Sequence, residues 1–520
     1  MNSDDNKHNI IILGGGTAGW MAANLMATKW QTQLARKQIT ITLIESPDIG
    51  IIGVGEGSTP RLKDFFDKIG VQETDWMPEC NATYKNGILF KDWSGRKGFD
   101  SYFHPFISII DAHTAPAFVH NTQFKRQGYD VDSTVDRFFL AATLAKQQKV
   151  PIGNENFPFD IGYGYHFDAV LLGKFLAKLA INKGVKHVFA TAKDIGLSQS
   201  GNIEQLTLDN GEKVAGDLFI DCSGFASILL QKTLQVPFIS YKDNLFNDSA
   251  VTIATPHVKG EKINSQTIST AMKYGWAWDI PLTNRTGNGY VYSAEHCSAE
   301  QAESELRAKL GLTDNSIKAN HLKMKVGRVE QHWYKNCVGV GLSQGFIEPL
   351  EATSLHFVCE TIENFIDAYT TLHFTDSAIN SNQSEHLQRQ FNENLNARFE
   401  GIRDYIVAHY RLSDRTDTEY WQQNSDNPKI SNNLKRIVQA WLNGDDLNKT
   451  LTRPDMVSFY PPVSWHAMLA GYGVFPAINK ALPFNDQAQK YDLDHIDQFI
   501  ARSALNFSDH KRYLSQVISS

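Results

Sequence analysis

The sequence predicts an α/β fold: a Rossmann-like dinucleotide-binding module carrying an inserted antiparallel sheet, followed by a mostly helical C-terminal cap. Three observations predict it. Residues Asn9 to Trp20, NIIILGGGTAGW, run an apolar strand into Gly14, Gly16 and Gly19 with the spacing G-x-G-x-x-G. Between Ala250 and Ser293 the apolar residues alternate with polar ones, the period of a strand with one covered face. Beyond residue 376 they repeat at three and four, the period of a helix. The expected boundaries are 1–375 for the nucleotide module, about 236–320 for the inserted sheet within it, and 376–520 for the cap.

The glycine spacing has a physical use. Gly14 allows a tight turn, Gly16 lets backbone approach a pyrophosphate, and Gly19 lets the next helix pack on the strand. That helix offers free N–H groups and partial positive charge at its start, so Thr17 and Ala18 join the candidate binding residues. Met21 to Lys29 is helix-prone, Ile39 to Ile44 is a second apolar strand, and Glu45 closes it where an acid meets a ribose hydroxyl. A bound dinucleotide is the expectation.

The totals exclude several classes. At 520 residues the chain has room for two to four units by the length prior of roughly 100 to 200 residues per domain. A net charge of −7 supplies no basic field for nucleic acid or an anionic membrane. No apolar run approaches the ~18 residues of a spanning helix, and the polar start MNSDDNKH is unlike a signal peptide, so a cytoplasmic protein is expected. The five cysteines form no C-x-x-C, and the seventeen histidines include no H-E-x-x-H, so no structural metal is expected.

Along the chain, Ile51 to Arg61, IIGVGEGSTPR, is a glycine-rich turn that suits close approach of backbone to something flat or anionic, which singles out Gly53, Val54 and Gly55. Leu62 to Gly70 reads as a helix. In CNATYKNGILFKDW, Lys85 sits among apolar and aromatic neighbours, though a lysine is ordinarily a solvated charge. YFHPF places His104 and Phe106 in an aromatic cluster that suits a pocket wall or a core corner. Helices are expected over Val135 to Gln148 and Phe167 to Lys183, then two or three strands ending in GDLFIDCSGF, a second backbone turn at the carboxyl end of a strand. In the inserted sheet a long run covers Thr267 to Pro281. It includes GWAWDIP, whose Trp276 and Trp278 face one side because they are two apart on a strand. An aromatic core face would look the same. In CVGVGLSQGFIEPLEATSLHF a strand enters a glycine turn, and proline and acid precede a helix from Leu355 to Ala368, a third approach to a ligand. One long helix follows over Leu387 to Ile406, then an aromatic loop from Ser458 to Pro476.

The combination of G-x-G-x-x-G, GVGEGSTP, GWAWDIP and GFIEPLEATS resembles the flavin-dependent tryptophan and indole halogenases over nearly the whole chain, and the W-x-W-x-I-P string is its most specific part. The resemblance implies the FAD monooxygenase fold, with FAD along Gly14 to Gly19, Glu45 near the ribose, the 53–55 loop over the flavin, and Ala192 and Leu342 as further cofactor contacts. It implies Lys85 as the essential lysine, Glu351 as the essential glutamate, and Thr353 and Ser354 as the halide position. Some members carry glycine and isoleucine where this chain has Ser354 and Leu355. His104 and Phe106 match the residues that sandwich an indole, and Trp276 and Trp278 would stand between flavin and substrate.

The implied reaction uses FADH2, oxygen and chloride or bromide to make hypohalous acid inside the protein. Lys85 would capture it, and Glu351 would polarise the electrophile or take the ring proton. No second nucleotide fingerprint is present, so a separate NAD(P)H-dependent flavin reductase is implied, and a homodimer is possible. Two alternatives stand beside this reading. A flavin hydroxylase of the same fold would need the substrate to reach the flavin past the tryptophans. A non-catalytic binding protein would have no use for intact nucleotide glycines.

Overall fold

The computed structural model describes residues 7–48, 50, 55–257, 260, 262–313, 316–374, 380–477, 482–483 and 485–519. Gly53 and Val54 of the expected flavin loop lie outside the described residues.

Six strands form the first sheet, in the order Trp333–Tyr334, Cys337–Gly339, Leu218–Asp221, His8–Leu13, Ile39–Glu45, Lys186–Phe189. All pair in parallel except the first two. The near-continuous apolar runs of the inner strands follow from burial on both faces, which parallel sheets require. Leu13 pairs with Ile44 on one side and Asp221 on the other, so three strands end at one level beside the glycine turn. There the Thr17–Lys29 helix begins. A Cβ at Gly14 would lie 2.2 Å from the Cys222 carbonyl oxygen, and one at Gly19 2.0 Å from the Gly14 oxygen. Those two glycines are dictated by protein packing.

The second large sheet has seven strands, in the order Ala319–Lys323, Ser249–Pro256, Arg285–Tyr292, Gly275–Pro281, Thr267–Met272, Gly87–Lys91, Ser101–Pro105. It draws five strands from the segment read as an insert and two from residues 87–105. The run Thr267 to Pro281 is not one strand. It turns back between Met272 and Gly275, which pair with each other across the hairpin, and the left-handed φ of +156° at Gly275 lets its Cα approach the Val291 carbonyl. The helix expected over Val135–Gln148 is likewise interrupted. Phe139 is extended at φ −121°, ψ 125°, because its ring is driven into the core against Phe118. The helix read from Phe167 starts at Ala169, since Phe167 belongs to a strand and the Asp168 carboxylate caps Val170 and Leu171.

A small three-stranded sheet sets the site. Gly164–Phe167 is its middle strand, with Glu56–Gly57 on one edge and Thr83–Lys85 on the other. The C-terminal cap then closes over this side. Its 31-residue helix Ser381–Arg411 carries an apolar stripe through Phe391, Leu395, Phe399, Ile402 and Ile406, and the helix Pro462–Gly471 packs so tightly that a Cβ at Gly471 would sit 2.3 Å from the Tyr102 ring. The chain end returns to the body: Phe507–Asp509 pairs with Lys149–Gly153. One hydrophobic core runs continuously from the first sheet into the cap.

Candidate active site

Lys85 is the first residue to account for. Strand alternation sends Tyr84 and Lys85 to opposite sides. Tyr84 donates to Glu73, which also accepts from Tyr163 and Tyr165, at 2.6 to 2.7 Å. Lys85 points inward, is 0% exposed, and its Nζ has no hydrogen-bond partner. It lies 5.4 Å from the Phe106 ring centre, and a Cβ at Gly57 would be only 3.2 Å from Nζ. Removing an ammonium from water without a partner is costly, and burial lowers its pKa to about 7 although the nearby Glu351 charge pulls the other way. The uncharged amine is therefore far more accessible near neutrality than it is at a surface lysine.

Glu351 is the counterpart. It is 4% exposed, and His104 Nδ1 binds both of its oxygens, at 3.0 and 2.8 Å, while His409 Nε2 reaches Oε1 at 3.0 Å. Burial alone would raise this carboxyl, but the interaction with His104 and the hydrogen bonds from both histidines outweigh it and hold it at about 2. The carboxylate is ionised throughout the physiological range. His104 comes from the Ser101–Pro105 strand, and Phe106, half-buried, follows directly.

The turn after Glu351 leads into the helix Ser354–His373, whose N-cap, Thr353, is buried and makes no side-chain cap bond. Ser354 is exposed on the first turn. Free N–H groups and partial positive charge at this end suit a small anion. The glycine-rich loop meets it there, since Thr59 Oγ1 is 3.2 Å from His356 Nδ1. Gly55, at φ +77°, packs its Cα beside Ile280 and Leu282, at the end of the strand that carries the tryptophans. Trp276 and Trp278 are 2% and 7% exposed, with ring centres 5.8 Å apart. The loop, the lysine strand, the tryptophan strand and the anion-suited helix thus converge.

At the nucleotide end, a Cβ built on Gly16 meets nothing within 4 Å, unlike Gly14 and Gly19. The helix it precedes has no side-chain cap. Protein packing therefore does not require Gly16 to be small, the space beside it is open, and the uncapped donors of Thr17, Ala18 and Gly19 suit a pyrophosphate. Glu45 overlies Gly15 and contacts His187 Nε2 at 2.9 Å. Ala192 starts a strand just past the end of Lys186–Phe189, near the Ser46–Thr191 hydrogen bond. Leu342 lies in the turn whose Gly341 packs against Ala18. The residues present fit a flavin dinucleotide.

A model of the family described as tryptophan halogenase matches residues 9–488. The chain belongs to the tryptophan halogenase family. Members similar to it include the 7-chloro-L-tryptophan 6-halogenase KtzR of Kutzneria sp. (strain 744), 36% identical over 98% of this chain and 99% of the relative. The tryptophan 7-halogenase RebH of Lentzea aerocolonigenes is 32% identical over 90% of each. Among solved structures, a tryptophan halogenase from Shewanella frigidimarina superposes with a TM-score of 0.85 at 28% identity, covering 99% of this chain and 98% of that one. The protein is accordingly a flavin-dependent halogenase, and neither the hydroxylase nor the non-catalytic alternative is favoured.

Several residues at the site escaped the sequence reading. His409 sits on the apolar stripe of a helix, where a histidine reads as core. His166, fully buried between Thr83 Oγ1 at 3.1 Å and Thr267 Oγ1 at 2.9 Å, is held well below its ordinary pKa by burial and by Lys85. Glu348 was seen only as an acid before a helix. Its Oε2 collects Trp276 Nε1 at 2.7 Å, Tyr410 OH at 2.7 Å and Asn247 Nδ2 at 2.9 Å. Asp221, conversely, is occupied with backbone: its carboxylate accepts from Ser223, Leu229 and Leu230. No helix among the described residues is long and apolar enough to cross a membrane.

Proposed function

We propose that this halogenase places chloride or bromide on an indole-type or tryptophan-like ring, by way of hypohalous acid confined in the protein and captured by Lys85. Bound as FADH2 along Gly14, Gly16, Thr17, Ala18 and Gly19, the flavin supplies with oxygen the oxidising power that turns halide into hypohalous acid. A separate reductase delivers it reduced. Thr353 and Ser354 hold the halide at their helix start. Trp276 and Trp278 keep the ring of the substrate off the flavin. His104 and Phe106 flank that ring. Lys85, uncharged in part, takes the halogen from the acid, whose oxygen leaves as water with an amine proton, or holds the intact acid by a hydrogen bond; the N–halogen or O–halogen bond then breaks as the carbon–halogen bond forms, and the ring C–H gives its proton to Glu351.

The observation that carries this reading is the buried, unpartnered Lys85 amine beside a carboxylate held ionised. Nothing in a core needs that pair. The test is mass spectrometry after incubation with indole, bromide, oxygen, FAD and a reductase. Bromine isotope peaks are expected from the wild type. Lys85→Ala should give none while still retaining FAD. Turnover in that variant overturns the role of the lysine, and a product heavier by one oxygen moves the protein to the hydroxylases.

A further inference from the structure

Two consecutive residues of the long cap helix, His409 and Tyr410, each grip one of the two glutamates in Glu348-Pro349-Leu350-Glu351. Tyr410 serves the tryptophan side through Glu348. His409 serves the reacting side, and its surroundings are built for one arrangement. The ring is 0% exposed, stacked on Phe90 at 4.8 Å and 28°, with Trp93 and Tyr405 edge-on. Its Nδ1 is 2.6 Å from Tyr472 OH. The Tyr472 backbone is itself held, since its carbonyl accepts from Ser94 Oγ at 2.9 Å and Arg96 Nη1 at 3.2 Å.

We propose that His409 is a positioning residue of the halogenation reaction: Glu351 and Tyr472 together fix its tautomer, so that Nε2–H points at Glu351 Oε1 and aims the carboxylate at the space between Lys85 and the substrate. The direction of each bond follows from what can donate. Glu351, an ionised carboxylate, can only accept, so Nε2 donates to it, and the Tyr472 phenol, pushed well above its usual 10 by burial and then by the charge of Glu351, keeps its proton and donates to Nδ1. Nδ1 can then only accept, and the ring's single proton sits on Nε2. Burial lowers the pKa of His409 despite the hydrogen bond and charge of Glu351, so the ring stays neutral. The titratable groups facing it are Glu351 from the E-P-L-E turn, His104 and Tyr102 from the strand beside it, Tyr405 from its own helix and Tyr472 beyond. A neutral donor on one oxygen leaves Glu351 ionised but steers which lone pair is open for a ring proton.

This inference rests on Glu351 acting in the reaction, and the experiment separates the two. Glu351→Ala, His409→Phe and His409→Gln are assayed as holoenzymes with reductase, bromide and indole, reading kcat, KM, pH profile and FAD retention. His409→Phe should lower kcat about tenfold or more, the scale of a small misalignment of a reacting group, with KM for indole and FAD retention unchanged and with an altered pH profile. His409→Gln, whose amide can still donate to Glu351, should recover most of kcat. Wild-type kcat and pH profile in His409→Phe would overturn the inference, and so would equal loss in both histidine variants. Turnover in Glu351→Ala would overturn the role of the glutamate itself.

Discussion

One side chain at the site is placed where its type does not belong. Lys85 has no ion-pair partner and no hydrogen bond, and burial lowers its pKa from 10.5 to about 7. The unfolded chain therefore binds a proton that the folded chain has released between these two values, so this group makes stability rise with pH from about 7 to about 10.5 and costs the fold most below 7. Lys85→Met should remove that dependence. The variant is expected to be more stable than wild type at pH 7 by on the order of a few kcal/mol and so to melt at a higher temperature, with the difference shrinking as pH approaches 10. Thermal melts across that range check it, and a variant less stable at pH 7 would contradict the cost assigned to the buried amine. Sequence reasoning found this lysine only through the family's motif, since its local neighbours, TYKNGI, do not reveal which face of the strand is covered. The same holds for Glu351, whose two histidines come from positions 247 residues before it and 58 after.

At the scale of elements, most strands and helices were legible, and the misreadings have one cause. Periodicity reports which residues are covered, not where the chain turns. Thr267 to Pro281 reads as one run although its first arm alternates in burial and its second is covered on both faces, and the turn between them leaves no mark in the pattern. Val135 to Gln148 keeps a helical pattern across Phe139 because the break serves that ring's burial. The tryptophan strand shows packing that no pattern reveals: a Cβ on Gly289, across from Trp278, would lie 2.1 Å from its ring. Gly289→Ala must therefore displace Trp278, at an overpacking cost of about 1–3 kcal/mol. We expect lower stability by that amount. If the proposed barrier is breached, oxygenated indole should increase relative to halogenated indole, and an unchanged ratio would detach Trp278 from that barrier.

For the molecule as a whole, the cap is also a brace for the body. His510, from the last helix, accepts the Tyr84 backbone N–H at Nε2, 3.1 Å, and lies 3.0 Å by Nδ1 from the Ile263 carbonyl. Burial holds this ring neutral, with its pKa lowered to about 4, so Nδ1–H donates while Nε2 accepts. The residue it secures is the neighbour of Lys85. His510→Ala should leave the Tyr84 N–H unsatisfied at about 1–3 kcal/mol and slow halogenation while FAD stays bound. Full turnover with lowered stability would show that the brace does not extend to the lysine. Ser381–Arg411 acts similarly on the other side, gripping both glutamates through adjacent residues.

The sequence by itself determined the fold class, the nucleotide turn and the family. Each is written in local spacing: glycines where backbone must pass close, tryptophans two apart, apolar residues at two or at three and four. What only the tertiary structure decided is how those pieces meet. A small sheet sets Gly57 against Lys85, a cap helix sets His409 against Glu351, and Gly16 alone of its motif is left clear of protein atoms. The reason is physical: local periodicity fixes which face of an element is buried, whereas a pKa or a hydrogen bond depends on atoms brought together from segments hundreds of residues apart.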